Sequence, residues 1–235
     1  MPPARQRNDP RQYDDLAAEW WRPRGAFAPL HWLAAARAGA LPPAAAPGAV
    51  LLDLACGGGL LAPHVTPLGY RHVGVDLSLE SLRLARAHGV SAVRADVRAL
   101  PVRDAAAAVV VAGEVLEHVP GLEPLVAEVC RVLAPGGTLL LDTLADTWLA
   151  RFLLVTVGER LPAVPRGIHD PALFVNRDRL RRAAAAHGVP LDLTGLRPRV
   201  TDCLSWLVRR RPDVRMVPTR PTTVLFTGHG RKEER

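Results

Sequence analysis

Short apolar runs alternate with amphipathic segments through the first part of the chain. The runs have the length of buried strands and cover residues 50–54, 72–76, 92–95, 108–112 and 138–142. Between them, segments 79–88 and 122–133 repeat apolar residues every three or four positions, as a helix with one buried face does. Strands that alternate with helices predict a parallel sheet covered by helices on both faces.

The flanking segments complete this pattern. Tyr13 and Trp20 belong to an apolar series at roughly helical spacing, which predicts a helical cap ahead of the sheet. The alternation stops after the fifth strand and resumes with a helix at 177–187 and strands near 191–196 and 222–228. We therefore predict an α/β fold with a doubly wound, mostly parallel sheet of seven strands.

A chain of 235 residues is long enough for one domain of this kind, residues 1–235. Its expected parts are a helical cap, a cofactor-binding core, a lid insert with its helix, closing strands and a tail. In that order they span residues 9–40, 48–143, 144–187, 188–228 and 229–235.

The cysteines and the apolar runs of the sequence indicate the cellular compartment in which the protein is expected. Cys56, Cys130 and Cys203 form no C-x-x-C pair, which argues against a disulfide framework or a zinc site and fits a reducing cytosol. The N-terminus has no apolar signal-like region, and no run approaches the roughly 20 apolar residues that span a bilayer. We expect a cytoplasmic protein.

The net charge of +7 would attract an anionic partner such as a membrane or a nucleic acid. The basic run at 209–211 lacks interleaved aromatic residues, and no recognised nucleic-acid motif accompanies it. We expect no nucleic-acid partner and interpret most of the charge as an arginine-rich solvated surface.

The turn after the first strand predicts a nucleoside pocket. The strand Val50–Leu54 runs into small residues, and the next strand ends in Asp76. Small residues let the backbone approach a ligand closely, and an acid at the end of the second strand accepts hydrogen bonds from ribose hydroxyls. The small residues are Ala55, Gly57, Gly58 and Gly59.

The same turn lacks the features of a dinucleotide site. A pyrophosphate site needs G-x-G-x-x-G at the start of a helix, and no third glycine stands at that spacing. The Tyr-x-x-x-Lys of a nicotinamide dehydrogenase is also absent from the sequence. Asp53, which we place inside the turn, would repel a phosphate but suits a cationic ligand.

The D-x-A-C-G-x-G pattern from Asp53 to Gly59 resembles motif I of class I S-adenosylmethionine-dependent methyltransferases, whose usual form is D-x-G-x-G-x-G. The chain is also similar to the ubiquinone-biosynthesis O-methyltransferases. The landmarks are Glu19-Trp20-Trp21, Phe27-x-Pro29-Leu30-His31, Glu114-x-x-Glu117-His118-Val119 and Pro165-x-Gly167-x-His169-Asp170. This resemblance implies a Rossmann-like fold and methyl transfer to hydroxyls of prenylated catechol or phenol intermediates.

The resemblance also implies which residues contact S-adenosylmethionine. Arg37 would meet the carboxylate of the methionine moiety, Asp76 the ribose, and Asp96 the adenine amino group, unless Asp96 is simply a solvated loop acid. Ala55 replaces the family's first glycine, which is tolerable if φ is negative or only a small Cβ is needed. The expected cofactor contacts are Arg37, Asp53, Ala55, Gly57, Gly59, Asp76, Leu77, Asp96, Val97 and Gly113.

Glu114, Glu117 and His118 follow the fourth strand, and in the family this segment is associated with a divalent metal, magnesium. Such a cation would bridge two catechol oxygens and lower the pKa of one. A similar Glu-His pair also shapes the substrate pocket in methyltransferases without metals, so both interpretations stay open. His118, His169 and His31 are the candidate catalytic bases.

Residues 148–157 form the most hydrophobic stretch, with Arg151, Arg160 and Arg166 beside it. The stretch is too short to span a membrane and resembles the family's insert that approaches lipid. It is expected to act as a lid over the site, as a peripheral contact with the inner face of the membrane, or as both.

We expect an S-adenosylmethionine-dependent O-methyltransferase that acts on a phenolic, catecholic or quinol acceptor. The chain departs from the family after residue 190, where Cys203-Leu204-Ser205-Trp206 and the arginine run stand. A methyltransferase of secondary metabolism acting on oxygen, carbon or nitrogen is therefore the alternative, and a non-catalytic cofactor-binding protein is a more distant one.

Overall fold

The computed structural model describes residues 6–160 and 164–234. Residues 161–163 of the expected lid insert lie outside the described residues, as do residues 1–5 and 235 at the ends of the expected domain.

An eight-stranded sheet forms the centre of the molecule, with strand order β3-β2-β1-β4-β5-β8-β6-β7. Its strands are β1 (Val50–Leu54), β2 (Arg71–Asp76), β3 (Ser91–Arg94), β4 (Ala107–Gly113), β5 (Leu133–Leu144), β6 (Leu191–Pro198), β7 (Met216–Thr219) and β8 (Leu225–Arg231). Strands β1 to β5 pair in parallel, and β8 runs antiparallel to both β5 and β6. The predicted α/β fold is confirmed, with one strand more than the seven expected.

Helices cover both faces of the sheet. They are α1 (Arg11–Asp15), α2 (Ala28–Ala38), α3 (Ala62–Val65), α4 (Leu79–Ala87), α5 (Leu122–Val132), α6 (Trp148–Ala150), α7 (Arg177–Ala186) and α8 (Val200–Leu207). The first two helices form the N-terminal cap, and α6 continues as a π-helix over Arg151–Val157, so the lid insert is helical. Within the described ranges, no helix is both long and apolar enough to cross a bilayer.

Strand alternation divides the buried residues between two layers. Leu52 and Leu54 of β1 point to one face and pack with residues of α5 and α7, whereas Leu51 points to the other face and packs under the cap with Trp20 and Phe27. Successive side chains of a strand face opposite sides, so a strand buried on both faces is apolar throughout. This explains why β4 is a continuous apolar run, and why β1 is apolar apart from the buried Asp53.

The C-terminal part differs from the prediction in two ways. The expected tail at 229–235 begins inside β8, which extends to Arg231. Helix α8 and strand β7 were not predicted within the closing strands at 188–228. The hydrophobic pattern did not predict α8 because most of the apolar residues of this helix are exposed. It did not predict β7 because this strand has only four residues, one of them Pro218.

Side chains fix the starts of the helices that position the ligand edge. Ser78, just after β2, accepts a hydrogen bond from the Ser81 N–H at 3.0 Å and caps α4. Thr147, just after β5, accepts one from the Ala150 N–H at 3.1 Å and caps α6. Serine and threonine satisfy the otherwise unpaired amides of a first turn. Both helices therefore begin directly at the carboxyl edge of the sheet.

Gly59 lets the turn after β1 approach α4 closely. Its φ is 80°, and a Cβ built there would lie 2.9 Å from the Cα of Ala85. That backbone atom cannot move without moving the helix. The turn therefore requires glycine for two reasons, its left-handed conformation and the contact with α4.

Replacing Gly59 with alanine is expected to lower the free energy of unfolding more than the same change at Gly89. Both glycines have left-handed φ, 80° and 87°, but a Cβ at Gly89 would meet nothing within 4 Å. Each variant should lose about 1 kcal/mol from backbone strain, and Gly59→Ala a further ~1–3 kcal/mol from overpacking. Urea unfolding measures both, and equal losses would show that the contact with α4 is unimportant.

Candidate active site

The turn after β1 is held in shape by β2. The Gly57 N–H donates to Oδ2 of Asp76 at 2.9 Å, and the Cys56 N–H donates to the Val75 carbonyl oxygen at 3.0 Å. Ala55 has a φ of 51°. Of the two conditions under which alanine would be tolerable here, negative φ does not hold, so the small size of its Cβ is what makes alanine tolerable. The strain of about 1 kcal/mol lies where a ligand would approach.

Asp76 stands at the end of β2 with its carboxylate directed at the turn. Oδ1 accepts a hydrogen bond from the Ser78 N–H at 2.8 Å, while Oδ2 accepts the one from Gly57. Burial raises the pKa of Asp76, and the backbone N–H groups of Ser78 and Gly57 offset part of that rise. The carboxylate is thus fixed as a hydrogen-bond acceptor at the position expected for a ribose site.

The residues expected around adenine have different surroundings. Leu77 is exposed and Val97 is buried. Asp96 accepts hydrogen bonds from Nε and Nη2 of Arg98, the latter at 2.6 Å, and these bonds lower the pKa of Asp96. Its contact with an adenine amino group stays a prediction, and Arg98 would compete for that carboxylate.

Asp53 is a residue of β1 and does not lie in the turn, so its expected place was wrong. It is buried on the cap side of the sheet, where Oδ2 lies 3.1 Å from Nε2 of His72 on the neighbouring strand. The side chain points to that face because it alternates with Leu52 and Leu54. Asp53 can supply negative charge beneath the ligand edge, and its direct contact with the cofactor stays a prediction.

Arg37 of α2 crosses from the cap to the sheet. Its guanidinium pairs with the buried carboxylate of Asp142 on β5, through Nε to Oδ2 and through Nη2 to Oδ1 at 3.3 Å. The guanidinium also occupies the space over Gly113, where a Cβ would lie 2.2 Å from its Cζ. The glycine at the end of β4 is therefore explained by Arg37, and Asp142 is a partner that sequence reasoning missed.

Glu114 is strained and buried immediately after β4. Its φ is 51°, and its Oε1 has no hydrogen-bond partner among the described residues. Burial first, and then the charges of Glu117 and Asp142, raise the pKa of Glu114 well above its usual value. Burial and the neighbouring negative charges thus favour the protonated form of this side chain, in which a buried carboxyl avoids an uncompensated charge.

Glu117, His118 and His169 converge beside this residue. One potential ligand atom from each lies within 4.8 Å of the others, and the two imidazole rings stack with centroids 5.1 Å apart. Glu117 accepts a hydrogen bond from the hydroxyl of Thr143 at 2.7 Å, and its Oε1 has no partner in the described part of the chain. Burial raises the pKa of Glu117 to about 7.

Both histidines of this group are neutral at physiological pH. Burial lowers the pKa of His118 to about 3 and that of His169 to about 4. The Nδ1 atom of His118 lies 2.6 Å from Oδ1 of Asn8, and its Nε2 lies 3.3 Å from the hydroxyl of Tyr13. His118 is thus held by the N-terminal segment, and His169 is the histidine with a ring nitrogen less committed to protein partners.

The donor set does not fit magnesium. The expected ligands were Glu114, Glu117 and His118, but the structure groups His169 with Glu117 and His118 and leaves Glu114 out. One carboxylate and two imidazoles suit a divalent ion that accepts nitrogen, whereas Mg²⁺ takes oxygen ligands in a near-octahedral shell. We derive no step of the chemistry through a metal.

His31 lies apart from this group. Its Nε2 lies 2.7 Å from the carbonyl oxygen of Trp20, to which it can donate a hydrogen bond that ties α2 to the preceding segment of the cap. The ring also lines a cavity of about 550 Å³ between α2 and residues 212–217, together with Trp32 and His64. The contact with Trp20 gives His31 a structural role, and its role as a base stays a prediction.

Comparison with known proteins identifies the family. A family model described as "Methyltransferase domain" matches residues 52–141. The "Ubiquinone biosynthesis O-methyltransferase" of Bordetella pertussis is 36% identical over 197 residues, which cover 79% of this chain and 80% of that protein. The protein of the same name from Burkholderia thailandensis is 35% identical over 190 residues, covering 77% and 82%.

The chain belongs to the ubiquinone biosynthesis O-methyltransferase family.

A crystal structure of an S-adenosylmethionine-dependent methyltransferase from Thermotoga maritima shares the fold of this O-methyltransferase family member. Its TM-score is 0.64 at 16% identity, with coverage of 94% of this chain and 97% of that one. The chain is therefore an S-adenosylmethionine-dependent methyltransferase, and S-adenosylmethionine is its cofactor. In this enzyme the turn after β1, Asp76 and Arg37 lie along one edge of the sheet, as the sequence analysis expects for cofactor contacts.

Asp76→Asn is expected to weaken S-adenosylmethionine binding by the O-methyltransferase, whereas Asp96→Asn is not. Asp76 combines the carboxylate expected to meet the ribose with the hydrogen bond that shapes the turn, and loss of a charged acceptor weakens affinity about 10-fold or more. Asp96 is already paired with Arg98, so its change should stay within about twofold. Calorimetric titration of both variants decides, and equal weakening would establish the adenine contact of Asp96.

Glu117→Gln is expected to stabilise the metal-free enzyme at pH 8. In the wild type the unfolded chain ionises above the ordinary pKa of 4.5, while the folded state keeps the proton until about pH 7. The free energy of unfolding therefore falls as pH rises through that window, and glutamine removes this loss, by about 1–3 kcal/mol. Denaturant unfolding at pH 4.5 and pH 8 measures it.

Glu128→Gln is the matched control with the opposite sign. Its hydrogen bond from Arg131 lowers the pKa of Glu128, so the wild-type residue stabilises the fold above the pKa of the unfolded chain. Glutamine at this position should lower stability at pH 8. A Glu117→Gln protein that also loses stability at pH 8 would contradict the raised pKa of Glu117.

Proposed function

We propose that this enzyme transfers the methyl group of S-adenosylmethionine to a hydroxyl of a phenolic or catecholic acceptor, such as a prenylated quinone precursor. Two lines of support meet here. The relatives named above are ubiquinone biosynthesis O-methyltransferases. The observation that carries the proposal is the group of Glu117, His118 and His169. Glu117 and His118 follow β4 at the carboxyl edge where Asp76 also stands, and His169 joins them from the segment after the lid insert.

This group suits the deprotonation of a phenol. Methyl transfer to oxygen forms an O–CH₃ bond while the carbon–sulfur bond breaks and its electron pair returns to sulfur. The phenolic proton needs an acceptor, and a carboxylate with a pKa of about 7 is matched to that task at neutral pH. Glu117 takes the proton, and neutral His169 orients the hydroxyl. The remaining catalysis is positioning of two bound reactants.

The lid insert supports a lipid-soluble acceptor. Trp148, Phe152, Leu153 and Val157 are exposed on the helical segment after β5. An exposed apolar helix with arginines beside it can lie at a membrane surface. We therefore propose that this segment contacts the inner face of the membrane, where a prenylated acceptor would enter the site.

A methyltransferase of secondary metabolism is the second candidate. The cavity of about 550 Å³ takes one of its walls from residues 212–217, within the region where the sequence departs from the family. An acceptor bound in this cavity would be selected in part by residues outside the part of the chain that resembles the ubiquinone biosynthesis O-methyltransferases. This candidate keeps the methyl transfer and changes the acceptor.

A methyl-transfer screen tests the proposal. Purified enzyme with S-adenosylmethionine is incubated with a catechol, a demethylated quinol, a plain phenol and an amine, and products are identified by mass spectrometry. We expect methyl ethers of the catechol or quinol, and a loss of about 100-fold or more in kcat for Glu117→Gln with unchanged cofactor affinity. Glu128→Gln serves as the control.

Three results would count against parts of this account. Products methylated only on carbon or nitrogen would favour the second candidate. Full activity of Glu117→Gln would exclude it as the base. Activity that EDTA abolishes and added Mg²⁺ restores would reinstate the magnesium interpretation.

A further inference from the structure

Helix α8 presents an apolar face to the outside of the molecule. Val200, Leu204, Leu207 and Val208 have side chains that are between 60% and 65% exposed. Their spacing of three and four residues places them on one side of the helix. A contiguous exposed apolar face of this kind marks an interaction surface more often than a lone exposed leucine does.

The opposite side of α8 is fixed to the rest of the fold. Trp206 packs edge-on against Trp32 of α2 with ring centroids 5.3 Å apart, and the Arg24 guanidinium lies 4.9 Å from the Trp206 ring. Arg24 also donates hydrogen bonds to the carbonyl oxygens of Trp206 and Arg211, each at 2.7 Å. The helix therefore cannot rotate its apolar face inward without breaking this contact.

Positive charge follows directly after this face. Arg209 and Arg210 are exposed and form no ion pair with any residue in the described ranges. The nearby acids are already engaged, since Asp202 pairs with Arg215 at 2.7 Å and Asp213 lies 3.6 Å from Arg211. The surface thus combines apolar side chains with uncompensated arginine charge.

The topology places α8 at the same edge of the sheet as the lid insert. Strands β5 and β6 are both antiparallel to β8, so they run in the same direction. The insert follows β5 and α8 follows β6, and the two strands are separated by β8 alone, a distance of about 10 Å. Two exposed apolar segments therefore leave one edge of the molecule.

We propose that the apolar face of α8, with Arg209 and Arg210, docks on an anionic phospholipid bilayer. The bilayer offers phosphate groups to the arginines and an apolar layer to the leucines and valines. A second copy of the chain fits less well, because a twofold interface on this face would bring the arginines of both copies together. The inference is independent of the acceptor and of the methyl transfer.

Vesicle co-sedimentation at low salt tests this surface. The wild type is mixed with vesicles of phosphatidylcholine alone or with one third phosphatidylglycerol. The apolar variant is Leu204→Asp with Leu207→Asp. The charge variant is Arg209→Gly with Arg210→Ala, and glycine suits the left-handed φ of 58° at that position. Arg181→Ala with Arg182→Ala on α7 is the control that removes the same charge elsewhere.

We expect the wild type to pellet with anionic vesicles only, and the apolar variant to bind at least ~10-fold more weakly. Each arginine removed from the α8 surface should weaken binding about fivefold, and the α7 control should change it much less. Circular dichroism melting of each variant confirms that the fold is kept, as the exposure of all six substituted positions requires.

Four outcomes would overturn the proposal. In the first, the wild type binds neither kind of vesicle, and in the second, the apolar variant binds vesicles as well as the wild type does. In the third, the α7 control loses as much vesicle binding as the charge variant. In the fourth, the wild type is a dimer in sedimentation velocity, and the apolar variant is a monomer whose vesicle binding is unchanged. A loss confined to Phe152→Asp would assign lipid contact to the insert and exclude α8. Methyl transfer is assayed separately, so its failure leaves this result unaffected.

Discussion

A buried guanidinium holds the cap against the sheet and balances the acids at its carboxyl edge. Arg37 pairs with Asp142 and also lies close enough to Asp53 and Glu114 to interact with their charges. A buried carboxylate is costly unless a cation accompanies it. The acids could not gather at this edge without Arg37, and α2 could not reach the sheet without the space that Gly113 leaves.

The balance between the Arg37 charge and the buried acids gives the carboxyl groups at this edge different ionisation behaviour. Asp142 carries the ion pair, whereas burial and neighbouring negative charge raise the pKa of Glu114 well above its usual value and that of Glu117 to about 7. Left-handed backbone at Ala55 and Glu114 adds strain at this edge. Strain and perturbed pKa values both concentrate at functional sites, where the surrounding fold supports them. One edge of the sheet thus combines the turn expected to contact the cofactor with a carboxyl group able to accept a proton.

Local patterns predicted the layers of this fold and the position of the turn after β1. Apolar runs gave the parallel strands, and the small residues before Asp76 gave the turn, because these signals are confined to a few adjacent positions. Contacts between distant residues were beyond such patterns. Arg37 and Asp142 are 105 positions apart, and His169 joins Glu117 only through the fold. Glu114 has a left-handed φ and stands outside that group, and sequence spacing revealed neither fact.

In the C-terminal region, even a local pattern failed to predict the structure. Helix α8 is amphipathic, but its apolar side faces outward and its inward side is secured by Trp206 and Asp202. A rule that buries apolar residues assigns such a helix wrongly or misses it. The exposed face became interpretable only when its neighbours were known.

The most direct test of the central claim is calorimetric titration of S-adenosylmethionine into Arg37→Met, with Arg37→Lys alongside. Our account predicts that the methionine variant does not bind S-adenosylmethionine measurably and that the lysine variant binds it more weakly than the wild type. Lysine restores the positive charge but cannot form the bidentate contact with Asp142. Wild-type affinity in a folded Arg37→Met protein would contradict it.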